Sequence, residues 1–484
     1  MSKLGVDKSL NSGDREENNT RLSFARVATL VLVVGVLALV AGAGTASAAH
    51  SITSCADDVT SSGLHTVDSD ITDDTATSCI DVTASDVILE GNDNTVDGVN
   101  QTSGSIGVNV SSSTNVTVRN LTVTGWSNGV EYGEASDGEI TDVNASGNGF
   151  AGIGFFSSSD NNTVTSNEVS GNSANGIFLF SSSNNDVTSN EVSGNSDGIA
   201  LFSSSDNNDV TSNNASENGD DGIALGSSSN NNVTENNASE NGGNGISLDS
   251  SSNNNNVTAN TATGNDFDGI DISTSSNNNN VSANNASGND RNGIRITSSS
   301  DNNDFTNNTA RDNAVSDFRV EDSSGNVVEN LDIGESTAPE TTLDFTGNNF
   351  RLSGNSTPPA DPSGKQNIGR FVDATNTSAL GGSFLDLTFE YTDSDVSGVD
   401  ESTLDVWKND GTWTELGGTV DTAANEVQYN ITNFGSVFAP LASPEPNNIN
   451  SCQTIDASNA PADGLVNLTG DITNSPAPSC VNIT

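Results

Sequence analysis

Asn175-Gly176-Ile177-Phe178-Leu179-Phe180-Ser181-Ser182-Ser183-Asn184-Asn185-Asp186-Val187-Thr188-Ser189-Asn190 is one statement of a pattern that the chain repeats about every 23 residues. Its Gly-Ile pair, or a close variant, returns at Gly107-Val108, Gly129-Val130, Gly152-Ile153, Gly198-Ile199, Gly222-Ile223, Gly245-Ile246, Gly269-Ile270 and Gly293-Ile294. A degenerate copy stands at Asp317-Phe318. Three short apolar beats per period, with no helical stretch, point to a parallel β-helix with one coil per repeat. A leucine-rich repeat has a similar period, but its fixed leucine and helix-forming segments are missing here.

The beats can be read one by one. Ile177/Leu179 alternate at period two, as do Ile153/Phe155, Ile223/Leu225, Ile270/Ile272 and Phe318/Val320, so both members face inward. The second beat is Val164, Val187, Val210, Val233, Val257, Val281 and Phe305; the third is Val169, Val192, Ala215, Ala238, Ala262, Ala286 and Ala310. Runs such as Ser157-Ser158-Ser159-Asp160-Asn161-Asn162, between the first two beats, are turn chemistry. One coil buries too little alone; stacking at about 4.8 Å makes the core continuous, and about ten coils give a rod roughly 50 Å long. Parallel crossovers are right-handed, so a right-handed helix is expected.

Two asparagine columns share this register. One is Asn148, Asn172, Asn195, Asn218, Asn241, Asn265, Asn289 and Asn313; the other is Asn167, Asn190, Asn213, Asn236, Asn260, Asn284 and Asn308. Asparagine tolerates the left-handed backbone of tight corners, and its amide can bond to the coils above and below. Both columns read as structural ladders in preference to a ligand-binding row.

The chain carries 14 Lys+Arg against 65 Asp+Glu, a net charge of −51. That excess excludes nucleic acid and anionic lipid as partners, and it suits a halophilic protein kept soluble in concentrated salt. Residues 1–48 read as a signal peptide: Arg21 and Arg26, an apolar run from Val27 to Gly44, then the cleavage pattern Ala46-Ser47-Ala48. The run is also long enough to act as an uncleaved anchor. Either way the expected location is outside the cell or on its surface, in association with the envelope.

Cys55 and Cys79 stand 24 residues apart, one coil length, and Cys452 and Cys480 stand 28 apart. Stacked positions on neighbouring coils lie within disulfide reach, so Cys55–Cys79 is expected to seal the first coil, with Cys452–Cys480 as a second local pair. Without a CxxC or a nearby histidine pattern, metal binding is the weaker reading.

Composition changes near Leu331–Pro339. The repeat region, 49–337, gives way to longer alternating strands such as Phe384–Tyr391, Leu404–Trp407 and Glu426–Ile431, with a hairpin signal at Asn409-Asp410-Gly411. Residues 338–442 therefore read as an antiparallel β-sandwich. Residues 443–484 begin with a linker, Ser443-Pro444-Glu445-Pro446-Asn447, and continue as a copy of the first coil. Ser451-Cys452 and Ser479-Cys480-Val481-Asn482-Ile483-Thr484 echo Ser54-Cys55 and Ser78-Cys79-Ile80-Asp81-Val82-Thr83. They are read as the truncated start of a second β-helix.

The repeat at Asn175–Asn190 resembles those of the NosD-like parallel β-helix family, part of a wider group of carbohydrate-binding proteins and sugar hydrolases. The resemblance covers roughly residues 52–335. The stretches Tyr391–Val399 and Trp413–Gly418 look like an all-β module of haloarchaeal surface proteins. The family resemblance implies the fold and a glycan-facing role. It also implies copper, which wants His, Met or Cys ligands. Beyond Ala48 the chain has only His50 and His65, no methionine and four cysteines expected to be oxidised, so copper is not carried over.

Other motifs are weaker. Gly147-x-Gly149-x-x-Gly152 matches the dinucleotide fingerprint but sits inside the ladder with no helix after it. Gly242-Gly243-Asn244-Gly245 has part of a calcium nonapeptide, with Ser247 in place of the aspartate, so calcium is left without a specific motif and no cofactor is expected. Sequons such as Asn115-Val116-Thr117 and Asn232-Val233-Thr234 are numerous, and some are expected to be glycosylated.

Of the nine basic residues after Ala48, four are Arg291, Arg295, Arg311 and Arg319. Asp266, Asp268, Asp271 and Asp290 lie on the same or the preceding coil, and Arg295 should stack on Asp271. Carboxylates beside arginines on a β-helix face suit a polysaccharide lyase, epimerase or hydrolase, with Asp268, Asp271, Asp290, Arg291 and Arg295 as candidates. Solvated charge pairing is the alternative. The expectation is an exported, acidic, surface-associated protein, structural or carbohydrate-interacting, with a polysaccharide or cell-surface glycan as partner. The catalytic reading stands second.

Overall fold

A computed structural model describes residues 50–445 except 100, 102, 337–339, 356 and 378–381, and beyond them the strands Asn447–Ile449, Gln453–Ile455, Val466–Leu468 and Val481–Ile483. The apolar amino-terminal segment and its cleavage site, like Cys452 and Cys480, lie outside the described residues. All described secondary structure is β.

Each coil contributes three short faces, strands or, on the third face at Asn237, Thr261 and Asn285, single bridges, and each pairs in parallel with its equivalent one repeat on. The first face stacks eleven strands, from Ser78–Val82 to Ser316–Glu321. The second and third faces run alongside, Thr163–Thr165 over Asp186–Thr188 and Glu168–Ser170 over Glu191–Ser193, for example. Along Asn175–Phe180 the inner residues Ile177 and Leu179 are wholly buried, as are Val187 and Val192 on the other faces. One apolar core therefore runs the length of the coils.

The repeated glycine follows from this stacking. A Cβ on Gly222 would lie 2.6 Å from Asn241 Nδ2 and 2.8 Å from the Gly245 carbonyl oxygen, so no larger residue fits beneath the ladder amide. The Gly-Ile rhythm is thus the sequence trace of a close approach between coils.

Both asparagine columns form continuous ladders, buried except at the half-buried Asn313. Asn213 Nδ2 donates to Asn236 Oδ1 at 3.0 Å, and Asn236 Nδ2 donates to Asn260 Oδ1 at 3.0 Å and to the Val210 carbonyl at 2.8 Å. Asn148 likewise donates to Asn172, and Asn172 to Asn195. The corner geometry corrects the reason given above. The ladder asparagines do not adopt the left-handed conformation; the residue before each one does, as at Ser212 (φ 56°), Ala259 (φ 56°) and Ala283 (φ 55°). The asparagine is selected for its amide, which satisfies backbone groups that the corner leaves unpaired.

Two more ladders lie in the Ser/Asn runs that read only as turns. Asn162, Asn185, Asn208 and Asn231 bond in series, and Ser159, Ser182, Ser205 and Ser228 do so through backbone N–H to hydroxyl bonds. All eight are buried.

Cys55 and Cys79 are joined, with Cα atoms 4.1 Å apart, and Val59 bridges to Val82 across the same coil. At the other end the coils grow into the antiparallel part without a break in hydrogen bonding. Ser316–Glu321 pairs in parallel with Asn292–Thr297 and antiparallel with Phe350–Gly354. Val327–Gly334 likewise joins the last coil to Thr341–Asn348. From these two seams the sandwich sheets extend, one through Phe384–Glu390 and Glu426–Ile431, the other through Val372–Asn376, Ser436–Pro444 and Val399–Asn409. The hairpin at Asp410-Gly411 joins Val399–Asn409 to Trp413–Gly417. A chain of edge-to-face rings, Phe305–Phe318–Phe345–Phe350, with centroids 5.1–5.5 Å apart, carries the core across the junction.

Beyond Pro444 the backbone repeats the first coil's pairing. Asn447–Ile449 lies parallel to Val466–Leu468, as His50–Ile52 lies to His65–Val67, and Gln453–Ile455 lies parallel to Val481–Ile483.

Candidate functional site

On the first face the residue between the two inward apolar positions points outward, and strand pairing puts these residues in a single column. Asp81, Asn109 and Glu131 begin it. Gly154, Phe178, Ala200 and Ala224 follow, then Ser247 and Asp271. Arg295, Arg319 and Arg351 end it. Chemistry therefore changes along one straight line: acidic and amide first, apolar and aromatic in the middle, basic at the end.

The aromatic section was not recognised in the sequence. Phe178 is ringed by Phe150, Phe156, Phe180 and Phe202, with centroids 5.5–6.0 Å from its own. Phe178 is itself covered, but Phe180 is 40% exposed. Glycines make room: a Cβ on Gly154 would meet the Phe156 ring at 2.6 Å, and one on Gly226 the Phe202 ring at 2.5 Å. The signal was present in the strand Asn175–Phe180, where Phe178 and Phe180 occupy positions that an inside-out alternation leaves to polar residues.

The structure brings Asp268, Asp271 and Arg295 together. Arg295 Nη1 donates to Asp271 Oδ1 at 2.8 Å and lies 3.9 Å from Asp268 Oδ2. Asp271 is buried; that burial raises its carboxyl to about pH 6, against the opposing pull of Arg295. Asp290 and Arg291 are not part of this cluster. Both are exposed on the preceding turn, and Arg291 lies over the Phe267 ring, 4.6 Å from its centroid.

Asp268 belongs to a further ladder. Its Oδ1 accepts from Asn292 N at 2.9 Å and Asn292 Nδ2 at 2.6 Å. One coil earlier Asn244 Oδ1 takes the N–H of Asp268, and before that Asp221 Oδ1 takes the N–H of Asn244. Asp and Asn alternate in one structural task, so these carboxylates act as hydrogen-bond acceptors of the fold. Among the described residues no group of three or more His, Cys, Asp or Glu is placed to hold a metal ion.

Two family models match the chain. The one described as "Right handed beta helix region" covers residues 59–215, and the one described as "Periplasmic copper-binding protein (NosD)" covers residues 197–350. The stretch 197–350 contains no His, Met or Cys, so it has no ligand suited to copper, and no copper chemistry is assigned. No curated protein matches. Among solved structures, a variant of the periplasmic alginate epimerase AlgG is 17% identical over 49% of this chain and 66% of its own, with a TM-score of 0.42. The Dettilon tailspike protein is 13% identical over 82% and 86%, with a TM-score of 0.48. The Azotobacter vinelandii mannuronan C-5 epimerase AlgE6 A-module is 18% identical over 56% and 82%, at 0.33. At these identities and scores the likenesses carry no argument about ligand or activity. Coil geometry, repeat pattern and the two family models agree: the chain folds as a right-handed parallel β-helix, whose residues 197–350 are similar to the NosD family.

Proposed function

We propose that this is an exported, surface-associated β-helix protein that binds carbohydrate on the outer face of its first sheet and does not turn it over. One observation supports this above others: that face carries an aromatic platform and an arginine run in one register. Aromatic rings offer an apolar surface to a sugar face, and arginines offer directed donors. The buried asparagine ladders are committed to each other and leave docking to this face. Export is supported by the amino-terminal sequence pattern and by the disulfide. Purified protein in concentrated salt, tested against a polysaccharide panel for retention and for product release, tests the reading. Retention without products is the expected result; retention of none of the polysaccharides overturns it.

A second reading has its own observation. A carboxyl held near pH 6 beside an arginine, as at Asp271–Arg295, suits acid–base work in a lyase, epimerase or hydrolase. Product release in the panel would favour it, and Asp271→Asn and Arg295→Lys should then abolish turnover. Arg295→Ala is a poorer probe, because it leaves the buried Asp271 carboxylate without its partner.

A further inference from the structure

The arginine end of the outward column is more than a neighbour of Asp271. Arg295, Arg319 and Arg351 are direct cross-strand partners in sequence, two steps of about 4.8 Å. Like charges directly opposite one another on a sheet destabilise it. Arg295 is neutralised by Asp271 at 2.8 Å and Arg319 by Glu321 at 2.6 Å. Arg351 is exposed, and the partner of its Nε is a hydroxyl, Thr375 Oγ1. The Nε–H of Arg319 is shielded from solvent and has no acceptor. A chain of net charge −51 thus gathers three guanidinium groups in one column.

We infer that Arg319 and Arg351, with Arg295 beside them, form a binding site for an oxyanion carried on a glycan, a uronate carboxylate or a sulfate ester. This rests on the carbohydrate reading and gives it a direction. A bound oxyanion would accept from guanidinium forks and relieve their repulsion. The Phe178 platform lies five steps away from Arg295 along the same column, roughly 24 Å. An extended acidic chain would then lie along the column, one sugar face on the rings and its charged groups at the arginines.

The test uses the full chain and three probes in concentrated salt: a neutral polysaccharide, a polyuronate and a sulfated polysaccharide. Wild type should bind one or both acidic probes about ten-fold or more tightly than the neutral one, and whichever acidic probe binds identifies the oxyanion. Arg319→Gln/Arg351→Gln should remove that preference, bringing acidic binding down to the level of neutral binding, and should not lower the melting temperature. Phe180→Ser, at the exposed ring of the platform, should weaken all probes alike. Equal binding of neutral and acidic probes by wild type, or an acidic preference that survives the double substitution, overturns the oxyanion site while the carbohydrate reading stands. Failure of wild type to bind any probe overturns both.

Discussion

Asp317 accepts the N–H of Gly354 at 2.9 Å through the same Oδ2 that takes the N–H of Gly334 at 3.1 Å. One buried carboxylate in the last coil thereby holds the ends of both strands that start the antiparallel part. Gly354 has no space for a side chain, since a Cβ there would lie 2.0 Å from the Gly334 Cα. The junction is a hydrogen-bonded seam, and the sandwich closes the end of the apolar core.

Asp317→Ala should therefore unpair both N–H groups and lower stability by about 2–4 kcal/mol. Denaturant unfolding measures the loss, and amide exchange at Gly334 and Gly354 should quicken more than in the central coils. A change below about 0.5 kcal/mol would show that the seam does not depend on this carboxylate.

Interior and exterior asparagines of one coil should behave differently. Asn236→Ala strands the N–H of Asn213 and the carbonyl of Val210, both buried, at a cost of about 3 kcal/mol or more. Asn232 bonds Thr234 and Asn256 on the outer surface, where water can replace it, so Asn232→Ala should cost under about 1 kcal/mol. Equal losses from the two substitutions would refute the assignment of stability to the inner ladder.

Asp221 has its carboxyl raised from 3.8 to about 7, first by burial and then by Asp220, Asp197 and Asp271, against the bond from Asn244 N. A raised carboxyl contributes fully below pH 3.8, and its contribution is lost as pH climbs through about 7. Asp221→Asn keeps the acceptor, as Asn244 shows one coil on. It should gain on the order of 1–2 kcal/mol at pH 8 and nothing at pH 3.5. Chemical unfolding at the two pH values decides it; a variant weaker than wild type at pH 8 would count against the ladder role.

Corner conformation can be tested without touching the core. Ala283 is exposed with φ 55°, so Ala283→Gly should stabilise by about 0.5–1 kcal/mol. Gly288, five residues on, has φ +68° and open space where a Cβ would go, so Gly288→Ala should cost about 1 kcal/mol. Melting temperatures moving the opposite way would mean that packing, not backbone preference, governs these corners.

By itself the sequence determined the coil. Ile177/Leu179, Val187 and Val192 recur at fixed offsets because each repeat meets the same inner environment, so the pattern of one coil foretells all of them. The Asp271–Arg295 stack was legible for the same reason, since equal repeat positions become neighbours. Tertiary structure alone decided which polar residues lie inside. Asn162 and Ser159 look like turn residues until the coil above covers them, and Asp268 looks like a free surface carboxylate until Asn292 is seen bonded to it. The Phe178 platform and the seam at Asp317 also depended on it. Both join residues whose roles come from what packs across a face or an edge, and local composition carries no record of that.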